Sequence, residues 1–313
     1  MSAADRPYDV IVIGGGQAGL AMARELAERG PRYLVLDAAP RLGETWRRRW
    51  DSLTLFTPAQ YDALPGLPFP AAPDSYPSKD EVADYLQAYA SAFALPVRLN
   101  SRVTSLRRLP SGWEVRTAEE TLHAEQVVVA TGPFQVPFVP AAADGLASSV
   151  TQVHSSGYRS PQTLPDGLVL VVGGGNSGMQ IARELAATRR VVLSVGENAL
   201  MLPQRLLGRD LFWWLSRLGL LGKPADSRLA RRVQARGELV IGTSRRALRR
   251  AGVQLRPRLI AADGRPVRFA DRSTLEVGVV VWATGFRPDY SWVHVPEVVG
   301  NGGTVSHRRG VTP

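Results

Sequence analysis

Cysteine is absent from the 313 residues. That excludes a disulfide framework, a redox dithiol, a cysteine nucleophile and thiolate-ligated zinc or iron–sulfur centres, and no metal site is expected. Lysine is almost absent: Lys79 and Lys223 are two of 38 basic residues, and the others are arginine. Acidic residues number 28, leaving a net charge of +10. Such a balance suits nucleic acid, an anionic membrane or acidic cofactors, but charge alone describes non-specific association and not fold. A chain rich in Ala, Gly, Pro and Arg accounts for the arginines by composition. No apolar run reaches the roughly 18 residues of a membrane span, so no integral membrane association is expected. Met1 to Asp9 is short and polar, and no small-residue cleavage site follows the apolar run at Val10. This argues against a signal peptide and for a cytoplasmic location.

What is present is ordinary globular composition, 44% apolar and 21% charged. The length suggests two domains. Tyr8 to Ile13 is an apolar, β-branched run, as a buried parallel strand requires. Gly14-Gly15-Gly16-Gln17-Ala18-Gly19 follows, then a helix predicted over Leu20–Arg29 with Ala21, Met22 and Leu26 on its apolar side. Tyr33–Leu36 is the next strand, and Asp37 ends it. Residues 40–78 are rich in Pro, aromatics and Arg without a period, the mark of a functional loop region. A helix is predicted over Asp80–Phe93, with short strands at 97–99, 103–106, 113–116 and 127–129, the last ending in Ala130-Thr131-Gly132. Proline-rich residues 133–166 read as a linker. The opening pattern then returns: a strand at 168–172, Gly173-Gly174-Gly175-Asn176-Ser177-Gly178, a helix over 179–187 and a strand at 191–195. Val279 to Trp282 leads into Ala283-Thr284-Gly285. The chain holds an internal duplication of a nucleotide-binding module.

Each glycine turn has a physical logic. The first glycine (Gly14, Gly173) makes the tight turn. The second (Gly16, Gly175) lets backbone approach a pyrophosphate, and the third (Gly19, Gly178) lets helix pack on strand. Phosphates then rest on free amides at the positive end of the helix. Asp37 is placed to accept hydrogen bonds from an adenosine ribose. Two such turns suggest two dinucleotides, one a resident flavin and one a visiting nicotinamide.

Five stretches together resemble the flavin-containing monooxygenases, in particular their bacterial and YUCCA-type branch. They are Gly14–Gly19 with Asp37; Leu42-Gly43-Glu44-Thr45-Trp46; Leu53 to Pro70 with Tyr76-Pro77-Ser78-Lys79; Gly173–Gly178 with Leu202-Pro203 and Gly208-Arg209-Asp210; and Ala283-Thr284-Gly285-Phe286-Arg287-Pro288. The resemblance implies an α/β fold of two Rossmann-like dinucleotide-binding domains. The FAD domain would span 1–160 and 272–313, and the NAD(P)H domain, 161–271, would be inserted into it. FAD would lie along Gly14, Gly16, Gln17, Gly19, Asp37, Gly43, Thr45 and Trp46. NAD(P)H would lie along Gly173, Gly175, Asn176, Ser177 and Gly178. Thr131, Gly132, Thr284 and Gly285, in the connecting Ala-Thr-Gly segments, complete the cofactor-contacting set. The implied reaction is reduction of FAD by NADPH, capture of molecular oxygen as a flavin C4a-hydroperoxide, and oxygenation of a small organic substrate. The hard chemistry is the cofactor's, so no catalytic side chain is named. A homodimer is left open.

The chain departs from the family pattern in several places. In F-x-G-x-x-x-H, His154 and Tyr158 fall in place, but Ser148 and Val150 replace the Phe and Gly. Phe56, with Thr57 beside it, stands where many members carry an asparagine near the reactive flavin carbon. Gly196, followed by Glu197, occupies the position of the arginine that would select NADPH, which leaves NADH open; Arg189, Arg190 and Arg205 are the arginines nearby in sequence. Relatives continue past His307–Pro313 with a strand and helix that close the FAD domain and touch the flavin. Two other readings keep the motifs: an NAD(P)H:flavin oxidoreductase or oxidase without substrate oxygenation, and a truncated non-catalytic nucleotide-binding protein. The arginines of 228–258 (Arg228, Arg231, Arg232, Arg236, Arg245, Arg246, Arg249, Arg250, Arg256, Arg258) read as a solvated helical face. No nucleic-acid partner is expected, since no nucleic-acid fold motif accompanies them. Residues 206–221, with Phe212, Trp213 and Trp214, read as core or as a wall of the substrate entrance.

Overall fold

Two sheets organise the chain, the first mixed and the second parallel, and in each an interior strand runs into one of the glycine turns. The computed structural model describes residues 6–196, 200–224, 227–228, 231–232, 239–295, 297–300 and 303–312. Strands β1 (Tyr8–Ile13), β2 (Tyr33–Leu36), β3 (Val97–Arg98), β4 (Ser105–Arg108), β5 (Trp113–Arg116) and β6 (Thr121–Val129) belong to the first sheet. The second sheet contains β7 (Thr151–His154), β8 (Val169–Val172), β9 (Val191–Ser194), β10 (Gln254–Arg256) and β11 (Val279–Trp282). A last strand, β12 (Val293–His294), returns to the first sheet beside β4. The orders are β12-β4-β5-β6-β1-β2-β3 and β10-β9-β8-β11-β7. In each, the strand before the glycine turn is central: β1 pairs in parallel with β2 and β6, and β8 with β9 and β11.

The burial explains the sequence. Val169 to Val172 and Val279 to Trp282 are apolar at every position because both faces are covered, and all eight residues are buried. Each such side chain contributes roughly 1.5–3 kcal/mol by leaving water. Helix α1 (Gln17–Arg29) packs Gly19, Leu20 and Ala23 inward. Met22, expected on its apolar side, is exposed instead. Helix α2 (Lys79–Ala92) starts with a capping box, in which Glu81 N–H donates to Ser78 Oγ and Ser78 N–H to Glu81 Oε2. Helix α3 (Asn176–Leu185) follows the second glycine turn.

Sheet membership is wider than the expected 161–271 insert at both ends. Val279–Trp282 pairs with β8, and Thr151–His154, inside the stretch read as a linker, pairs with β11. The polar sequence Thr-Gln-Val-His conceals an edge strand, whose burial is only partial. Segment 40–78 is the seam. Trp50 and Leu53 join the core of the second sheet, Ala59 and Phe69 that of the first, and Trp46 and Leu55 pack against both. No helix among the described residues is long and apolar enough to cross a membrane.

The tract 206–221 differs from the expected core. Leu211 is buried and the aromatics are half-buried, but Leu206, Leu207, Leu218 and Leu221 face solvent. All four lie outside helix α4 (Leu211–Arg217), Leu206 and Leu207 in the hairpin before it and Leu218 and Leu221 beyond its end, while buried Asp210 caps its start. Helix α5 (Arg245–Arg250) carries Arg245, Arg246, Arg249 and Arg250 on its solvent side, as read from sequence. Arg236 and Glu197 lie outside the described residues.

Candidate functional site

The two glycine turns are built alike. Gly14 adopts φ +110° and Gly173 φ +127°, a region closed to side chains. A Cβ at Gly14 would lie 2.5 Å from the Ala130 carbonyl oxygen, and one at Gly173 would lie 2.1 Å from that of Ala283. Each alanine opens an Ala-Thr-Gly segment, and its N–H donates to the end of the central strand, Ala130 to Ile13 O and Ala283 to Val172 O. The repeated Ala-Thr-Gly is thus the floor under the repeated first glycine. The third glycines pack helix on turn: a Cβ at Gly19 would sit 1.8 Å from Gly14 O, and one at Gly178 2.0 Å from Gly173 O.

The second glycine differs in kind. Gly16 caps α1 with an extended backbone (φ −81°, ψ −170°) and no side-chain cap, and an added Cβ would meet nothing within 4 Å. The first amides of α1 therefore lack side-chain acceptors, unlike those of α2, and Gly16 opens into a cleft of about 630 Å³. A surface that a methyl group would fill, at the positive end of a helix, is the cradle a pyrophosphate requires. The residues fit a dinucleotide.

Of the residues predicted from sequence, the cleft is lined by Gly14, Gly16, Gln17, Asp37, Gly43, Thr45, Trp46, Thr131, Gly132, Asn176 and Ser177. The Asp37 carboxylate accepts from Gly15 N–H at 2.6 Å and Ala39 N–H at 2.7 Å, which fixes it beside the turn. It keeps lone pairs for further donors. Gly43 is needed for packing as well: it has φ +75°, and a Cβ would come within 2.6 Å of Ala83 in α2. Thr131 and Gly132 both accept from the Gln135 side-chain amide.

Others are held differently. Gly19, Gly173, Gly175 and Gly178 stand behind the lining, in the turns and helix starts. Thr284 and Gly285 lie at the seam: the Thr284 hydroxyl donates to Phe138 O, and Gly285 O accepts from His154 Nε2 at 3.0 Å. Asn176 lines the cleft, but its side chain donates to Leu239 O and accepts from Ile241 N–H, which pins the strand Leu239–Ile241 to α3. The pattern of a Rossmann turn gives no hint of that pairing.

Sequence reasoning missed Arg49, Phe134 and Phe286, which also line the cleft. The Arg49 guanidinium lies 5.1 Å from each phenyl centroid, and among the described residues no carboxylate pairs with it. It is a fixed cation in the seam, and burial is the main force lowering its pKa. Nothing in the run Arg47-Arg48-Arg49 distinguishes the one arginine that turns into the cleft from its neighbours. Glu44, by contrast, is held between Arg41 and Arg48 at 2.6 and 2.9 Å, and these bonds lower its pKa.

A second cavity of about 470 Å³ adjoins the cleft, and Thr54, Leu55, Phe56, Asn176 and Gln180 line both. Phe56 stacks on Phe212, with centroids 6.2 Å apart, and its carbonyl accepts from Gln204 Nε2. Buried Asp210 ties the wall together, accepting from Tyr76 Oη and Gln204 Nε2 while capping α4. His154 bonds Ser156 and Gly285 and lines neither cavity.

The family model described as "pyridine nucleotide-disulphide oxidoreductase" matches residues 11–203. An uncharacterized CzcO-like oxidoreductase of Geobacillus kaustophilus is 44% identical over 97% of this chain and 88% of its own length. The rice indole-3-pyruvate monooxygenase YUCCA4 is 30% identical, over 90% of this chain and 76% of its own. Among solved structures, a flavin-containing monooxygenase from Stenotrophomonas maltophilia matches with TM-score 0.80 and 28% identity, over 96% of this chain and 85% of that one. The chain belongs to the flavin-containing monooxygenase family. It is a flavin-dependent oxidoreductase of the two-dinucleotide-domain fold. As a family member without cysteine, it has no counterpart to the dithiol in the broader family's description.

Proposed function

We propose that the protein is an FAD-dependent, NAD(P)H-using monooxygenase of a small organic substrate. The observation that carries this reading is that one cleft is lined by both modules at once, by Gly14–Gln17 of the first and Asn176, Ser177 and Gln180 of the second. Two dinucleotides lying on their own turns would meet there. On this reading the first turn and the start of α1 bind the FAD pyrophosphate, and Asp37 takes the ribose hydroxyls. Gly173 to Gly178 bind the nicotinamide dinucleotide. Sheet membership supports a second module running from Thr151 to Trp282, with the flanking residues forming the first. Bound in the cleft, the flavin supplies the hydride acceptor and the centre at which oxygen is reduced. The chain's own part is orientation and exclusion of water. Trp46, Phe56, Phe134 and Phe286 supply apolar walls, and Arg49 a fixed positive charge. The adjoining cavity, walled by Leu55, Phe56, Tyr76 and Gln204, is the space assigned to the organic substrate.

One observation favours a second reading, an NAD(P)H oxidase that releases peroxide. Phe56, which cannot donate a hydrogen bond, stands at the junction of the cavities where many family members carry an asparagine. The deciding experiment is anaerobic reduction of the FAD-loaded protein by NADPH or NADH, followed by air with a panel of sulfides and ketones. Oxygen recovered in product supports the monooxygenase, and stoichiometric peroxide with every compound supports the oxidase. A protein that takes up no FAD refutes both.

A further inference from the structure

The second module lacks a side chain at Gly196, where a dinucleotide fold usually sets its choice between NADH and NADPH. An acidic residue there bonds the free ribose, whereas an arginine nearby accommodates a 2′-phosphate. The candidates suggested by sequence order do not serve. Arg189 is spent on carbonyls, donating to Pro161 and Leu164 at 2.8 and 2.9 Å. Arg189 and Arg190 also precede β9, and four residues of strand at about 3.3 Å each carry them to the end away from the turn. Arg205 donates to Gly208 O in the hairpin Arg205–Asp210.

The neighbouring strand delivers a different arginine. Strand β10 runs parallel to β9, with Ser194 opposite Arg256. Val195 N–H donates to Arg256 O at 2.9 Å. Beyond that, the buried Ser194 hydroxyl donates to Pro257 O and accepts from Leu259 N–H, both at 2.9 Å. One side chain thereby staples residues 257–259 over the end of β9. Arg258, between the two stapled residues, is held from the other side as well, its carbonyl accepting from Ala270 N–H at 2.8 Å. Its guanidinium comes to rest at Gly196: a Cβ built there would lie 3.9 Å from Arg258 Nη2. The glycine turn is adjacent, since a Cβ at Gly174 would meet Val195 at 3.2 Å. The guanidinium is exposed and makes no ion pair or hydrogen bond recorded among the described residues. A Cβ at Gly196 would make only ordinary van der Waals contact with the guanidinium, whereas a long side chain would compete with it for the open space beside the strand end.

We infer that Arg258 binds the 2′-phosphate of a nicotinamide dinucleotide and makes the second module select NADPH over NADH. This rests on the proposed role of that module as the nicotinamide site. A guanidinium offers a phosphate two parallel charge-assisted bonds, which a lone ribose hydroxyl cannot use. Ser194 is then a positioning residue that never touches the ligand.

The test is binding, read by calorimetry on the FAD-saturated protein, with 2′,5′-ADP and 5′-AMP as probes. They differ only in the 2′-phosphate. The wild type is expected to prefer 2′,5′-ADP by about 10- to 100-fold, the range of one or two charge-assisted bonds. Arg258→Ala should erase that preference without changing 5′-AMP affinity, Arg258→Lys should restore part of it, and Ser194→Ala should weaken it with 5′-AMP again unchanged. Preference retained in Arg258→Ala, or absent in the wild type, overturns the assignment while 5′-AMP binding that is lost in Gly175→Val leaves the nicotinamide module standing. Failure of both probes to bind the wild type removes the module's role and the assignment together.

Discussion

Gly16 and Gly19 sit three residues apart in one turn, yet alanine at each should fail for opposite reasons. At Gly19 the added carbon would stand 1.8 Å from Gly14 O, where ordinary contact begins at 3.4 Å. Helix α1 must retreat from β1 by about 1.5 Å, and overpacking of this kind costs about 1–3 kcal/mol. At Gly16 nothing of the protein lies within 4 Å and the backbone is extended, so alanine is sterically free. Its only structural cost is a poorer helix cap, about 1 kcal/mol or less. The methyl group instead occupies the surface that the pyrophosphate would use. Thermal unfolding of the apoprotein and FAD titration by flavin fluorescence separate the two effects. Gly19→Ala should unfold at distinctly lower temperature. Gly16→Ala should unfold close to wild type but bind FAD on the order of 10–100-fold more weakly, equivalent to losing roughly 1.4–2.7 kcal/mol. An unchanged FAD affinity in Gly16→Ala would show that the pyrophosphate does not cross that amide. Wild-type stability in Gly19→Ala would refute the packing argument.

Other consequences concern pH and strain. Burial holds the Asp62 pKa up at about 6, one carboxylate oxygen having no partner among the described residues and the other accepting from Thr57. The folded state therefore keeps a proton that the unfolded chain, with an ordinary value of 3.8, has released, so stability falls as pH rises from about 4 to 6. Asp62→Asn should flatten that slope in urea denaturation and add on the order of 1–2 kcal/mol at pH 8; equal stability at pH 8 would sink the account. For His154 the sign is reversed: burial and Arg49 lower its pKa below 6.5 while Gly285 O opposes them. The unfolded chain then binds the proton first, so stability falls as pH drops below 6.5, and His154→Gln should remove that component. Leu207 is exposed at a hairpin tip with φ +50°, so Leu207→Gly should stabilise by about 0.5–1 kcal/mol in the same denaturation assay.

The duplication was legible because it is written locally. A buried parallel strand must be apolar throughout, a tight turn must be glycine, and both demands fall within about 20 contiguous residues, twice. The Ala-Thr-Gly segments were legible as repeats but not in purpose, since the contact that uses them spans from Gly14 to Ala130 and from Gly173 to Ala283. Thr151–His154 escaped because an edge strand buries little, and a strand that buries little need not alternate or run apolar. The same distinction governs the site. Gly16 is named from its immediate neighbours, whereas the pairing of the Asn176 side chain with Leu239 and Ile241, more than 60 residues away, has no local signal. Arg258 is the sharpest case. Its sequence neighbourhood is one arginine stripe among ordinary surface, and its place at Gly196 follows only from the parallel pairing of β9 with β10 and from the bonds of Ser194. On the assignment made above, the space beside a missing side chain on one strand is used by an arginine carried on the next. Exchanging Gly196 for arginine and Arg258 for glycine together is the swap that this geometry should tolerate.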